Sequence, residues 1–233
     1  MNNLSLARPG RLGAAALLLT LAGGCGALFP VTTTPTPSFY SLDGARGSPP
    51  AAIRPTLPAT APTLIVNPPH AAAGFDSPRI IYVRETHKLE YFSHNEWVDT
   101  PARMLAPLIV AAVEDNGTFR AVVLTPSAAA GDLRLDTEIV RLQHDFASQP
   151  SRVRFTLRAY IVDNTTRRVL ASREFDQTVA AASKDPYGGV VAANRAVQSV
   201  LEQLASFCAK AAGNWQPPAA DVPKRAEASL PGR

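Results

Sequence analysis

Residues 152–163 read Arg-Val-Arg-Phe-Thr-Leu-Arg-Ala-Tyr-Ile-Val-Asp and form the most regular pattern in the chain. From Val153 to Ile161 every second residue is apolar, and the residues between them are arginine, threonine or tyrosine. A period of two places alternate side chains on opposite faces of a β-strand. This stretch therefore predicts a long strand with one buried face and one polar face.

The sequence on both sides of this stretch predicts its partner strands. Long segments suited to strands occur at about 132–143 and 168–180. Asp163-Asn164-Thr165-Thr166 has the side chains that stabilise a tight turn, because Asp and Asn bond to their own backbone. The three strands are therefore expected to form an antiparallel meander, with a hairpin between its second and third strands.

Shorter strands and two helices complete the expected fold. Thr100-Pro101 predicts a helix start, with Thr100 as N-cap, and Asn116-Gly117 predicts its end. Pro107 is expected to kink this helix or open its first turn. Asp185-Pro186 predicts a second helix. Further strands are expected at Phe39–Leu42, Thr63–Val66 and Phe119–Leu124, with a hairpin formed by Arg79–Val83 and Lys88–Phe92.

This order of elements predicts an α+β fold: a mostly antiparallel β-sheet with two main helices packed on one face. The strands occupy the middle of the sequence, and the two helices are separated from each other along it. The folded domain is expected to span residues 39–210. Residues 211–233 are rich in Pro, Ala, Lys and Glu and are expected to form a disordered tail.

The N-terminus has the pattern of a bacterial lipoprotein signal. Arg8 and Arg11 precede an apolar run over residues 12–22, which is too short to span a bilayer as a helix. The run ends in Leu21-Ala22-Gly23-Gly24-Cys25, where small residues fit a signal peptidase and the thiol can accept lipid. We expect residues 1–24 to be the signal peptide and Cys25 to be the lipidation site. A plain secretory signal with an incidental cysteine is the alternative.

The residues after Cys25 predict how the domain is tethered. Residues 25–38 form a lipidated N-terminus and a tether rich in Pro and Thr, which should let the domain stand off the membrane. Gly26 follows the cysteine where an Asp would favour retention in the inner membrane. The expected location is therefore the inner leaflet of the outer membrane, lipid-anchored and facing the periplasm.

Composition excludes several classes of function. Removal of the signal peptide leaves 21 basic and 19 acidic residues, a net charge of +2 that argues against nucleic acid as a partner. Cys208 has no disulfide partner if Cys25 is acylated, and it is expected to be a buried thiol. No metal site, other cofactor or enzymatic activity is expected, because catalytic motifs are missing and the histidines are scattered at His70, His87, His94 and His144.

Two groups of residues are candidates for binding a partner. Arg152, Arg154 and Arg158 share one face of the central strand, and Arg167, Arg168 and Arg173 follow on the next. This basic row could contact anionic headgroups or an acidic protein. The alternative, which we favour, is a solvated face whose arginines pair with Asp136, Glu138 and Glu174 across the strands.

The second group is aromatic and surrounds the first hairpin. It consists of Phe75, Tyr82, Tyr91, Phe92 and Trp97, and it could be either ordinary core or a docking surface. Core is the favoured interpretation. Arg79 and Trp97 are the residues expected to be exposed and available to a partner.

Several segments, taken in order, carry a resemblance to a known family: Phe75–Arg84, Leu89–Phe92, Glu96-Trp97, Pro101–Leu105, Leu135–Ile139, Arg152–Leu157 and Ala192–Val197. They resemble the ABC-type transport auxiliary lipoproteins. These are the outer-membrane partners of MCE (mammalian-cell-entry) transport systems, including the paraquat-inducible type. The resemblance extends from about Phe39 to Cys208.

The resemblance implies docking rather than catalysis. In such systems an inner-membrane ATPase and permease work with an MCE protein that bridges the periplasm and conducts lipids or other apolar molecules. The auxiliary lipoprotein is thought to dock the bridge at the outer membrane, in some members as a homo-oligomeric ring. Of the family's functional residues, only the lipidated cysteine is carried over, to Cys25.

Two other functions remain open from the sequence. One is an outer-membrane assembly lipoprotein that binds lipopolysaccharide or outer-membrane proteins. The other is a periplasmic hydrolase whose site has no recognisable motif.

Overall fold

The computed structural model describes residues 36–43, 57–58 and 60–217. The predicted signal peptide, Cys25 and the tether as far as residue 35 lie outside the described residues, as does the predicted tail from residue 218 onward. The domain described below is contained within the compact unit Pro37–Arg233.

The described residues form a nine-stranded sheet and two helices, which confirms the α+β prediction with both helices on one face of the sheet. In chain order the elements are β1 (Ser38–Tyr40), β2 (Thr63–Val66), β3 (His70–Ala71), β4 (Arg79–Val83), β5 (Glu90–Trp97), α1 (Pro101–Asp115), β6 (Ala121–Leu124), β7 (Leu133–Asp145), β8 (Arg152–Asp163), β9 (Val169–Ala180) and α2 (Pro186–Gly213).

The long strands β7, β8 and β9 form the predicted antiparallel meander. Leu157 of β8 lies opposite Ile139 of β7 on one side and Phe175 of β9 on the other. All three of these side chains are buried and face the helices. The period-two pattern of β8 therefore predicts correctly which face of the strand is buried, as expected for a sheet covered on one side.

The other edge of β7 differs from the prediction, because the short strands pair with it in parallel. Along β7, β2 pairs at Leu133–Leu135, β3 at Glu138–Ile139 and β4 at His144–Asp145. Asn67-Pro68-Pro69 separates β2 from β3, since proline cannot donate a ladder hydrogen bond. The sheet is thus antiparallel in its long strands and parallel where the short strands meet β7.

Both helices begin at the residues that the sequence predicts. The Thr100 hydroxyl accepts a hydrogen bond from the Arg103 N–H at 3.4 Å, and the Asp185 carboxylate accepts one from the Gly188 N–H at 2.7 Å. Helix α1 is continuous through the exposed Pro107. Helix α2 continues to Gly213, three residues beyond the predicted domain limit at 210.

The core lies between the sheet and the two helices. Phe155 and Leu157 of β8 are fully buried, together with Ile109 of α1 and Leu204 of α2. Cys208 is buried in α2, where desolvation raises the pKa of its thiol to about 12. It is therefore a neutral packing residue, as the sequence indicated.

Substitution of Phe155 tests whether this core holds the fold. We expect Phe155→Ala to lower the free energy of unfolding by about 3–5 kcal/mol, because it removes a ring from a fully packed site. Urea unfolding followed by circular dichroism measures the change. The matched control is Phe39→Ala, which removes an exposed ring and should change stability by less than about 0.5 kcal/mol. Equal effects would contradict the assignment of the core.

Candidate docking surfaces

The polar face of the meander is a ladder of ion pairs, which we call the charge ladder. Arg158 on the central strand lies between two carboxylates, with Glu138 of β7 at 3.1 Å and Glu174 of β9 at 2.8 Å. Its hydrogen bond to Glu174 is the largest of the effects that raise the pKa of the guanidinium. The arginine is therefore held in place from both neighbouring strands.

Arg154 and Arg152 of the central strand also pair with carboxylates of neighbouring strands. Arg154 lies 3.3 Å from Asp176, whose carboxylate also accepts a hydrogen bond from the Thr156 hydroxyl at 2.7 Å. The Thr156 hydrogen bond, followed by that from Arg154, lowers the pKa of Asp176. Arg152 lies 3.6 Å from Asp145 at the end of the ladder.

The charges of the ladder balance, so the predicted basic row is not an excess of positive charge. Arg173 does not belong to it, because its guanidinium lies over the Phe175 ring on the helix side of the sheet. The balance supports the interpretation that these arginines are paired across strands, each pair contributing little to stability. The ladder comprises Arg134, Arg141, Arg152, Arg154 and Arg158, with Asp136, Glu138, Asp145, Glu174 and Asp176.

Only one of the two residues predicted to be exposed on the first hairpin lies at the surface. Arg79 is exposed, and its guanidinium lies 4.1 Å from the centre of the half-exposed Tyr91 ring, a cation–π contact. Trp97 is only 4% exposed, so the expectation that it is exposed is wrong. It pairs with Tyr40 of β1, and its ring joins the core beneath the sheet. Phe75 is likewise buried.

A histidine lies beneath the start of α2. His144 of β7 is 2% exposed, and its Nε2 lies 3.0 Å from the Ser151 hydroxyl oxygen. Its Nδ1 has no hydrogen-bond partner and faces Gly189, where a Cβ atom would approach to 2.5 Å. Gly189 thus has a packing role, because α2 can approach β7 this closely only where that residue lacks a side chain.

An aromatic groove lies between β1 and the first half of α2. It has a volume of about 470 Å³, and the rings of Tyr40 and Tyr187 in its wall are 6.5 Å apart. Phe39 and Tyr187 project from it and are among the most exposed large apolar side chains of the described chain. No local sequence pattern indicates this groove, because its two walls are about 150 residues apart in the sequence.

Asn194 fastens the first described segment to α2. Its Oδ1 accepts a hydrogen bond from the Asp43 N–H at 3.0 Å, and its Nδ2 donates to the Ser41 carbonyl at 3.1 Å. One side-chain amide therefore satisfies two backbone groups of the segment that follows β1. We call this contact the Asn194 clasp. It fixes the floor of the aromatic groove.

The described residues contain no group of three His, Cys, Asp or Glu side chains placed to hold a metal ion. None of the described helices combines the length and the apolar character needed to cross a membrane. The domain is thus defined by surfaces: a neutral charge ladder, an arginine–tyrosine contact on the hairpin, and an aromatic groove.

The fold places the described domain among α+β domains in which two helices cover one face of a mixed sheet. More particularly, the sequence model for the ABC-type transport auxiliary lipoprotein component matches residues 40–205, and the chain belongs to that family. No functionally curated protein matches the chain.

Two solved structures share this fold, and a third, the lipoprotein named last, is a weaker match. Protein XCC0632 from Xanthomonas campestris is 27% identical, with a TM-score of 0.62, and the match covers 68% of this chain and 90% of that one. An uncharacterized protein is 12% identical with a TM-score of 0.55, covering 76% and 98%. Lipoprotein GNA1162 from Neisseria meningitidis is 13% identical with a TM-score of 0.32, covering 62% and 98%.

The buried His144 predicts a pH-dependent stability. Burial lowers its pKa, and the nearby carboxylates of Asp185 and Asp145 oppose the shift. The unfolded chain therefore binds the proton more readily than the folded one, and the free energy of unfolding should fall as the pH drops below about 6.5. We expect His144→Gln to flatten this dependence in urea titrations between about pH 5 and 8.

The matched control is His94→Gln, which changes an exposed histidine of β5. This variant should keep the slope of the parent protein. A parent stability that does not change over this range, or a slope that His144→Gln leaves intact, would contradict the assignment.

The Asn194 clasp predicts a local effect on exchange. Asn194→Ala removes the acceptor for the Asp43 N–H, so this amide should exchange with deuterium several-fold faster while the protection of β8 stays unchanged. Hydrogen exchange with mass spectrometry of peptides covering residues 38–43 measures it. Gln198→Ala, in the same groove but bonded to Glu202, is the control and should have no effect there.

Proposed function

We propose that the chain is the periplasm-facing accessory lipoprotein of an MCE-type ABC transport system that moves lipids or other apolar molecules between the inner and outer membranes. The observation that carries the proposal is the family match over residues 40–205, and a predicted lipoprotein signal precedes it in the same chain. The family is one of transport auxiliary components, which act with a transporter. The chain would act by docking and not by catalysis.

In this proposal the acyl chains on Cys25 anchor the protein in the inner leaflet of the outer membrane. Two or more acyl chains bind a bilayer stably, since each buried methylene contributes about 0.8 kcal/mol. Gly26 supports the outer rather than the inner membrane as the destination. The folded domain then faces the periplasm, where it would contact an MCE protein that works with a permease and an ATPase.

We place the contact with the protein partner on the hairpin β4–β5. Arg79 and Tyr91 form an exposed cation–π pair, and Leu89 nearby is also exposed. Arginine and tyrosine are enriched among residues that contribute most to protein interfaces. Arg152, Arg154 and Arg158 are less suited to that role, because each already pairs with a carboxylate. A homo-oligomeric ring would multiply weak contacts through effective concentration.

Substitution of the anchor cysteine tests the proposal in cells. Cys25→Ser should move the protein from the outer-membrane fraction to the soluble periplasm, because it removes the thiol that carries lipid. It should also fail to restore lipid movement in cells lacking the chain, since the domain no longer stays at the membrane that it serves. Membrane fractionation with immunoblotting and a labelled-lipid transfer assay provide the two measurements.

Cys208→Ala is the matched control, because it replaces the other cysteine, which is fully buried. This variant should fractionate with the outer membrane and restore transfer. Retention of Cys25→Ser in the membrane would refute the anchor. Normal lipid transfer in cells that lack the chain altogether would refute the role in transport.

A further inference from the structure

The largest exposed apolar side chains at one end of the domain are clustered at the aromatic groove. Tyr187 is 65% exposed and Phe39 is 60% exposed, although aromatic side chains are usually more deeply buried in folded proteins. Val98, 58% exposed, adjoins them, since its N–H donates to the Tyr40 carbonyl at 2.8 Å. Two exposed aromatic side chains thus line one groove of about 470 Å³, and Val98 is bonded to the backbone of its wall at Tyr40.

The chain from the predicted anchor enters the domain at this groove. β1 (Ser38–Tyr40) forms one wall, and the Asn194 clasp fixes residues 41–43 against α2. Residues 26–36 are eleven residues between Cys25 and Pro37, and even a fully extended chain of that length spans at most about 40 Å. The chain that leads to the predicted anchor therefore leaves the described domain beside the groove, and the tether is long enough to let the groove meet the bilayer.

The side chains of the groove suit a bilayer surface. Tyrosine is enriched at the boundary between headgroups and acyl chains, where the ring is apolar and the hydroxyl remains hydrated. Phe39 supplies a fully apolar ring beside it. Arg195 lines the same groove, and its long side chain can extend to phosphate while its stem covers apolar surface.

We propose that the aromatic groove is a membrane-contact surface, on which Phe39 and Tyr187 insert into the phospholipid interface next to the acyl anchor. The inference rests on the proposed lipidation of Cys25. It adds an orientation: the N-terminal end of α2 faces the membrane and its C-terminal end faces away. The two ends are well separated, because the 25 residues from Tyr187 to Ala211 rise about 36 Å along the helix.

Spin labels on the lipidated full chain test this inference. Cys208→Ala removes the only thiol left when Cys25 is acylated, so Tyr187→Cys or Phe39→Cys introduces a single labelling site. The labelled protein is reconstituted in vesicles of phosphatidylethanolamine and phosphatidylglycerol, and attachment is checked by flotation. Power saturation then compares collisions of each label with oxygen, which enters the bilayer, and with a polar nickel chelate, which does not.

The matched control is Val169→Cys, since Val169 is 59% exposed and lies beside the C-terminal end of α2. The proposal predicts that the oxygen-to-nickel ratio rises several-fold on vesicles at positions 39 and 187 but stays unchanged at 169. Flotation without that rise overturns the membrane contact and leaves the anchor intact. Labels shielded from both reagents overturn it in favour of a protein contact. Failure of the protein to float overturns both the anchor and the membrane contact.

Discussion

Strand β7 is hydrogen-bonded along both edges, and the rest of the structure depends on this arrangement. One edge pairs with β8 along its length, and the other is shared in turn by β2, β3 and β4. Backbone groups in a buried sheet must be paired, because an unsatisfied group there costs as much as a lost hydrogen bond. A single long strand therefore joins the meander, which carries the charges, to the short strands, which carry the hairpin and the N-terminal segment.

The two faces of that sheet have different roles. The helix side holds the core, and Gly189 lets α2 approach close enough to seal His144 beneath it. The solvent side holds the charge ladder, in which arginines and carboxylates balance. A face whose charges neutralise one another in pairs attracts charged partners only weakly, because electrostatic steering needs an excess of one sign of charge. This balance favours our proposal that the domain binds through its ends and edges, namely the hairpin and the aromatic groove.

Local chemistry made much of the fold predictable from the sequence. Alternation over 152–163, the turn at 163–166 and the N-caps Thr100 and Asp185 each act within a few residues. Parallel pairing along β7 joins segments about 70 residues apart, and no local pattern encodes it. Trp97 was placed wrongly for a related reason: only its pairing with β1 determines that it is buried. The Asn194 clasp joins residues about 150 positions apart in the sequence, so no local pattern predicts it either.

Affinity purification of the full-length protein from cell envelopes in mild detergent, followed by mass spectrometry, is the decisive test of the proposed docking role. We expect an MCE protein to be recovered together with its permease and ATPase, and we expect all three to be lost when Arg79 and Tyr91 are both changed to Ala. Recovery of only outer-membrane proteins or lipopolysaccharide would contradict the account and point instead to a role in envelope assembly.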